Sequence, residues 1–164
     1  MSKFNEKILK LGNPKLYEVS IPVEKSELAE LEQVIKDLHD TLMDFRVTYN
    51  AGRAIAAPQI GVLKRLIYLN IDKPVIIINP ELFDLSSQMI EIWDDCLCFP
   101  ELFVRVKRHE SCKMRFLDEK WNIYEWKLNG DMAELLQHEY DHLDGVLATQ
   151  RAIDGKAFRW RGED

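Results

Sequence analysis

The stretch His138-Glu139-Tyr140-Asp141-His142 decides the reading of this chain. Two histidines four residues apart lie one turn apart on the same helical face, so both imidazoles reach toward a single metal ion. Glu139 stands beside them, placed to take a proton from a water polarised by that ion. The chain has 4 histidines and half of them fall in this pentapeptide, which sets it apart from a solvated helix that carries histidines by chance. Asp131 with Glu134 three residues later predicts a capping box at the start of this helix. Met132, Leu135, Leu136 and Leu143 give it an apolar face, and Gly145 is a natural stop.

Two nitrogen ligands are too few, because a catalytic centre of this kind uses three protein ligands and keeps a position open. No His or Cys follows His142. Upstream, Asp94-Asp95-Cys96-Leu97-Cys98-Phe99-Pro100 places two thiols at the end of an expected strand, and a thiolate would complete a Cys-His-His set. A third segment, residues 52–61 (GRAIAAPQIG), brings small side chains and a proline suited to close backbone packing. Within it Gln59 is an uncharged amide able to donate a hydrogen bond.

Working outward, Leu28, Leu31, Ile35, Leu38, Leu42 and Phe45 recur at spacings of three and four and predict an amphipathic helix, with Ser26 as its N-cap. His39 on that helix reads as a surface or packing residue. Residues 1–25, broken by Gly12, Pro14 and Pro22, read as an extended arm. Short β-branched or aromatic runs predict strands at 65–70, 75–79, 102–108 and 121–128. Residues 111–116 alternate strictly, with Cys112, Met114 and Phe116 on the buried face. His109 is expected in a solvated turn, and Trp121, Trp126 and Trp160 as core or boundary aromatics. Strands leading into a late helix predict an α+β fold over a single domain, 1–164, with mixed or antiparallel sheets around the helix that carries the two histidines.

Composition sets the outer limits. The chain has 164 residues, 46% hydrophobic and 30% charged, as in an ordinary soluble globular domain. With 22 basic and 28 acidic residues the formal net charge is −6, which argues against a surface built for nucleic acid. Three cysteines form no disulfide framework and point to a reducing, cytoplasmic setting. No apolar run is long enough to span a membrane, and neither a secretory leader nor a lipid anchor is expected. Arg151, Lys156, Arg159 and Arg161 read as a mildly basic solvated tail.

Taken together, GRAIAAPQ at 52–59, DDCLC at 94–98 and HEYDH at 138–142 resemble the peptide deformylases, whose three motifs GxGxAAPQ, EGCLS and HExxH follow in that order. Ile78-Asn79-Pro80-Glu81, Gln137 and His142-Leu143-Asp144-Gly145 agree as well. The resemblance implies the family's α+β fold, with Cys96, His138 and His142 as metal ligands and ferrous iron as the usual ion, although zinc, nickel or cobalt would also suit this donor set. It implies Glu139 as general acid and base, and Gln59 with the backbone N–H of Leu97 as the groups facing the developing oxyanion. The implied substrate is a nascent polypeptide carrying N-formylmethionine, and the implied products are formate and a free amino end. A peptide lying as an extended strand would use Gly52, Arg53, Ala54 and Ile55 on one side and Cys98 on the other. A transient contact with the ribosome is compatible with such a substrate.

The chain departs from the family pattern at named positions. Ala54 and Asp95 replace glycines, Asp94 replaces Glu, Cys98 replaces Ser, and Glu134 stands where Arg is usual. Asp94 is expected to act behind a metal ligand, whereas Asp95 adds a carboxylate beside the groove. Two other readings follow from these changes: a metal-dependent amidohydrolase with a shifted N-acyl-peptide substrate, and a non-catalytic metal- or peptide-binding relative. The retained Glu139 speaks against the second.

Overall fold

A computed structural model of the chain describes residues 4–163; the lipid-anchor reading, which turns on Ser2, lies outside the described residues. The amphipathic pattern at 28–45 forms α2 (Leu28–Tyr49), with Leu31, Leu38, Leu42 and Phe45 buried on one stripe. Asn50 ends it in the left-handed conformation, φ 51°, and its N–H donates to the Arg46 carbonyl. The start differs from the sequence reading. Ser26 lies inside a 3₁₀ turn, Lys25–Glu27, where the Glu24 N–H donates to Glu27 Oε2 at 2.6 Å. That carboxylate closes the 3₁₀ turn, and α2 itself starts from Glu27 with no side-chain cap. The arm before it is also more ordered than expected, with a short α1 (Phe4–Lys7) and a 3₁₀ turn at Pro14–Tyr17.

Five strands form an antiparallel sheet in the order β1-β2-β3-β6-β7: β1 (Ala54–Ala56), β2 (Leu66–Asn70), β3 (Pro74–Phe83), β6 (Ser111–Leu117) and β7 (Ile123–Asn129). A smaller sheet has the order β4-β5-β8, from β4 (Met89–Asp94), β5 (Leu102–His109) and β8 (Phe158–Trp160). Strand β3 runs past the expected end at Asn79 because a register shift between Ile78 and Glu81 lets it continue. At the shift Asn79 adopts φ 49°, and its side-chain amide pairs both ways with the Val23 backbone, at 2.8 and 2.9 Å. A polar side chain thus secures the arm to the bulged strand.

The large sheet is apolar on both faces. Leu66, Tyr68, Ile76 and Ile78 pack in the core with α2, while Ile67, Leu69 and Ile77 pack in a second core with Leu135, Leu136 and Leu143. Those leucines belong to α3 (Asp131–Leu143), which also packs against β5 of the small sheet. The helix bearing the two histidines therefore lies between the two sheets, the expected α+β arrangement. Cys112, Met114 and Phe116 are buried on one face of β6, as their alternation predicts.

Gly145 closes α3 with φ +73°, and a Cβ there would lie 2.5 Å from the Tyr17 carbonyl oxygen. The arm crosses so close that no side chain fits, and the Ser20 N–H donates to the Leu143 carbonyl at 2.8 Å beside it. The other end of α3 corrects the sequence reading. Gly130 is the N-cap, Asp131 makes no capping bond, and Glu134 reaches across to Arg53 instead. Trp160 is 64% exposed and belongs neither to the core nor to its boundary. His39 and His109 are both engaged, His39 Nδ1 with the Tyr68 hydroxyl at 2.5 Å and His109 Nδ1 with the Ser86 carbonyl at 2.7 Å.

Candidate active site

Strand β4 ends at Asp94, and the chain then turns tightly: the Phe99 N–H donates to the Cys96 carbonyl at 3.0 Å. The turn presents Cys96 toward α3. Cys96 Sγ lies 3.3 Å from His142 Nε2, which lies 3.2 Å from His138 Nε2. All three residues are buried, and their donor atoms lie within 4.8 Å of one another. Of the two thiols, Cys96 belongs to this group and Cys98 does not.

The residues fit a metal ion. One sulfur and two imidazole nitrogens form a mixed soft and borderline set, and three ligands leave coordination positions for water or substrate. Burial pushes the Cys96 thiol well up and the His142 imidazole well down, so both sit there uncharged until a cation arrives. A bound cation reverses that preference at sulfur. His142 Nε2 points at its neighbours while its buried Nδ1 has no hydrogen-bond partner.

His138 is held from behind. Asp94 Oδ2 lies 2.8 Å from His138 Nδ1, which directs Nε2 to the donor cluster. Burial lowers the affinity of His138 for a proton, but the Asp94 charge and hydrogen bond more than offset it, and its pKa rises to about 9. Asp94 is itself held by Arg108 Nη2 at 3.1 Å, and Arg108 Nη1 reaches Asp141 Oδ2 at 2.5 Å. Asp141 then pairs with Arg151 through two bonds of 2.5 and 2.9 Å. The result is a chain of alternating charges running from His138 to the protein surface. It corrects the reading of Arg151 as part of a solvated tail.

Gln59 sits in a 3₁₀ turn, Ala57–Ile60, that follows β1. Its Oε1 accepts from the Ala56 N–H at 2.8 Å, which leaves Nε2 facing the sulfurs of Cys96 and Cys98 at 3.4 and 3.5 Å. Glu139 is buried and its Oε2 has no hydrogen-bond partner. Burial pushes its pKa up to about 7, the nearby His138 opposing. A carboxylate poised near neutrality can both accept and return a proton.

These groups open into a cavity of about 310 Å³ lined by Gly52, Arg53, Ala54, Gln59, Leu97 and Glu139, among others. Of the expected groove residues, Ile55 and Cys98 do not line it. Ile55 turns its side chain into the core and Cys98 is buried behind Gln59. Sequence reasoning missed Arg108, Phe103 and Arg161. For Arg108 the signal was present: it continues the buried face set by Val104 and Val106, and a charge on such a face requires partners. Arg161 crosses the mouth of the cavity to bond Asp95 Oδ2 at 2.6 Å.

The profile of the polypeptide deformylase family matches residues 5–157. Peptide deformylase 1 of Prochlorococcus marinus strain MIT 9313 is 35% identical over 170 residues, covering 96% of this chain and 86% of that protein. The crystal structure of peptide deformylase from Thermotoga maritima superposes with a TM-score of 0.82 at 31% identity, covering 90% of this chain and 97% of the other. A Met-Ala-Ser-bound class I type b peptide deformylase from Acinetobacter baumannii gives 0.80 at 30% identity, covering 88% and 96%. A match over nearly the whole chain, shared fold and the ordered presence of all three motifs place this protein in the peptide deformylase family.

Proposed function

We propose that the protein is a metal-dependent hydrolase that removes the N-formyl group from N-formylmethionine at the amino end of new polypeptides, releasing formate. The observation that carries this reading is the convergence of Cys96, His138 and His142 beside a buried Glu139 whose Oε2 has no hydrogen-bond partner. Deformylases of this family are metal-dependent, and the three residues are proposed as the ligands, with ferrous iron as the ion and zinc, nickel or cobalt as substitutes. The chemistry supplied by a bound divalent ion is Lewis acidity, which polarises the formyl carbonyl and acidifies water.

The remaining work falls to the chain. Glu139, with a pKa of about 7, takes the proton of the attacking water and returns it to the leaving amine. Gln59 Nε2 and the backbone N–H of Leu97 face the oxyanion as charge develops there. The Ala56 N–H fixes the Gln59 amide in the orientation that keeps Nε2 forward. Asp94 and Arg108 hold His138 so that only Nε2 is offered to the ion. Strand β1 is an edge of the large sheet, and a peptide added along it would be read through its backbone, so that the later residues are tolerated broadly. Cys98 supports this groove from behind and does not line it.

The whole chain serves as one catalytic domain in this reading. Among the described residues no helix is long and apolar enough to cross a membrane. The nascent-chain substrate places the protein in the cytoplasm with a transient ribosome contact, without specific nucleic-acid recognition. The test is formate release from a formyl-methionyl tripeptide by protein prepared anaerobically with ferrous iron. Glu139→Gln should retain the metal and lose about two to four orders of magnitude in turnover. Full activity in that variant would refute the acid–base assignment.

A further inference from the structure

The cavity around the catalytic residues is not an apolar slot. Glu134 precedes His138 by one helical turn, so both project from the same face of α3, and both line the cavity. Arg53, on the segment leading into β1, spans from the opposite wall and places Nη2 2.9 Å from Glu134 Oε1. The Glu134 side chain is 9% exposed and that of Arg53 43%. A nearly buried carboxylate therefore stands one turn from a proposed metal ligand, on the wall of the same cavity. Burial pushes the Glu134 pKa up and the Arg53 guanidinium opposes it.

We propose that Arg53 and Glu134 are specificity-determining residues, which make the pocket for the substrate's first side chain accept a polar, uncharged chain of methionine's length, glutamine above all, alongside methionine. This assignment rests on the deformylase reading of the site. An apolar pocket rejects glutamine because its amide leaves water without gaining partners. Here the amide finds both: the Glu134 carboxylate accepts from its N–H groups, and the Arg53 guanidinium donates to its oxygen. A methionine thioether is a weak acceptor and gains little from either. Discrimination between the two nearly isosteric side chains is consequently small, whereas a site that meets only one of them rejects the other strongly. The small side chain of Ala54 and the apolar Leu135 leave room in the same wall for the shared methylene stem.

A clamp that only ties α3 to β1 would have no effect on this choice, and the experiment turns on that difference. Formate release is compared for formyl-Met-Ala-Ser and formyl-Gln-Ala-Ser, and calorimetric binding of Met-Ala-Ser and Gln-Ala-Ser is measured on the nickel-loaded protein. The expected kcat/KM values lie within about tenfold of each other, as do the Kd values. In the double variant Arg53→Leu with Glu134→Leu both ratios move toward methionine by about tenfold or more. Replacing a buried ion pair by apolar side chains of similar size is commonly tolerated. Should the double variant not fold, Glu134→Leu alone, which leaves the half-exposed Arg53 able to turn to solvent, is expected to move the ratios by about threefold or more in the same direction. A wild-type preference for methionine above about a hundredfold, or ratios unchanged in the variants, would overturn the proposal. If neither peptide releases formate, the deformylase reading fails and takes the substrate assignment with it, whereas release from the methionine peptide alone overturns only the specificity assignment.

Discussion

Asp94 Oδ2 lies 2.8 Å from His138 Nδ1, and the same oxygen lies 3.1 Å from Arg108 Nη2. The carboxylate thereby couples a proposed metal ligand to a buried guanidinium that is itself fixed by Asp141. Replacing Asp94 by Asn keeps the size but removes the charge that orients His138. The expected outcome is metal affinity weaker by about ten- to a hundredfold, read by competition with a chelator of known affinity. Cys96→Ala should go further and abolish stoichiometric binding; normal metal content in that variant would move the ligand elsewhere.

Arg108 is 3% exposed and serves two buried carboxylates. Truncation to Ala leaves both without their shared cation, a loss of about 3–5 kcal/mol. Urea unfolding of the metal-free protein measures it. Arg105→Ala, which removes an exposed pair with Glu91, is the control and should cost no more than about 1 kcal/mol.

The metal-free protein should lose stability as pH rises from about 7 to about 9. His138 carries a raised pKa of about 9 in the folded state against 6.5 in the unfolded chain. The folded state therefore holds a proton that the unfolded chain releases, and the contribution is full below 6.5 and gone above about 9. Below pH 7 the trends oppose one another. Glu139, raised to about 7, loses its contribution as pH climbs from 4.5, while the lowered His142 gains one up to 6.5. Thermal melts across pH 7–9 test this, and Asp94→Asn should flatten the slope.

Asp95, the carboxylate that replaces a family glycine, is neutralised by Arg161, whose guanidinium also stacks over Phe103 at 4.7 Å. Asp95→Gly exposes that cation at the cavity mouth. We expect kcat/KM to rise several-fold for formyl peptides with an acidic second or third residue, less for neutral ones, and the gain to fade at high salt. Equal effects on acidic and neutral peptides would contradict this placement of Arg161.

Gly145→Ala should destabilise the fold by more than about 1 kcal/mol, because it adds a backbone collision with Tyr17 to an unfavourable φ. Gly12→Ala provides the comparison, since φ is also positive there, at +102°, but nothing lies within 4 Å of the added carbon. The difference between the two variants measures how tightly the arm is held against the end of α3.

Residues whose role is set by local pattern were legible in the sequence. The stripe of α2, the alternation of β6 and the pair His138/His142 follow from periods of 3.6 and 2, and the clustering of Cys96 with the two histidines follows from motif order. Residues whose role is set by distant partners were not. Glu134 satisfies the spacing of a capping box yet turns to Arg53, 81 positions away. Arg161 lies outside every motif and reaches Asp95 only because β8 pairs with β5. Strand β1 was too short, at three residues, to register as a strand at all. Such contacts are products of tertiary packing, and no window of sequence contains both partners.

The brevity of β1 has a consequence for the life of the protein in a crowded solution. A sheet edge proposed to receive an incoming chain is also a template for the wrong chain, including another copy of this protein. Three residues of backbone, two of them alanines, offer too few ladder bonds to hold an aggregate together. In the proposed function the edge grips a guest that is also anchored at its terminus, and three residues are too short to nucleate fibrils from partners that are not.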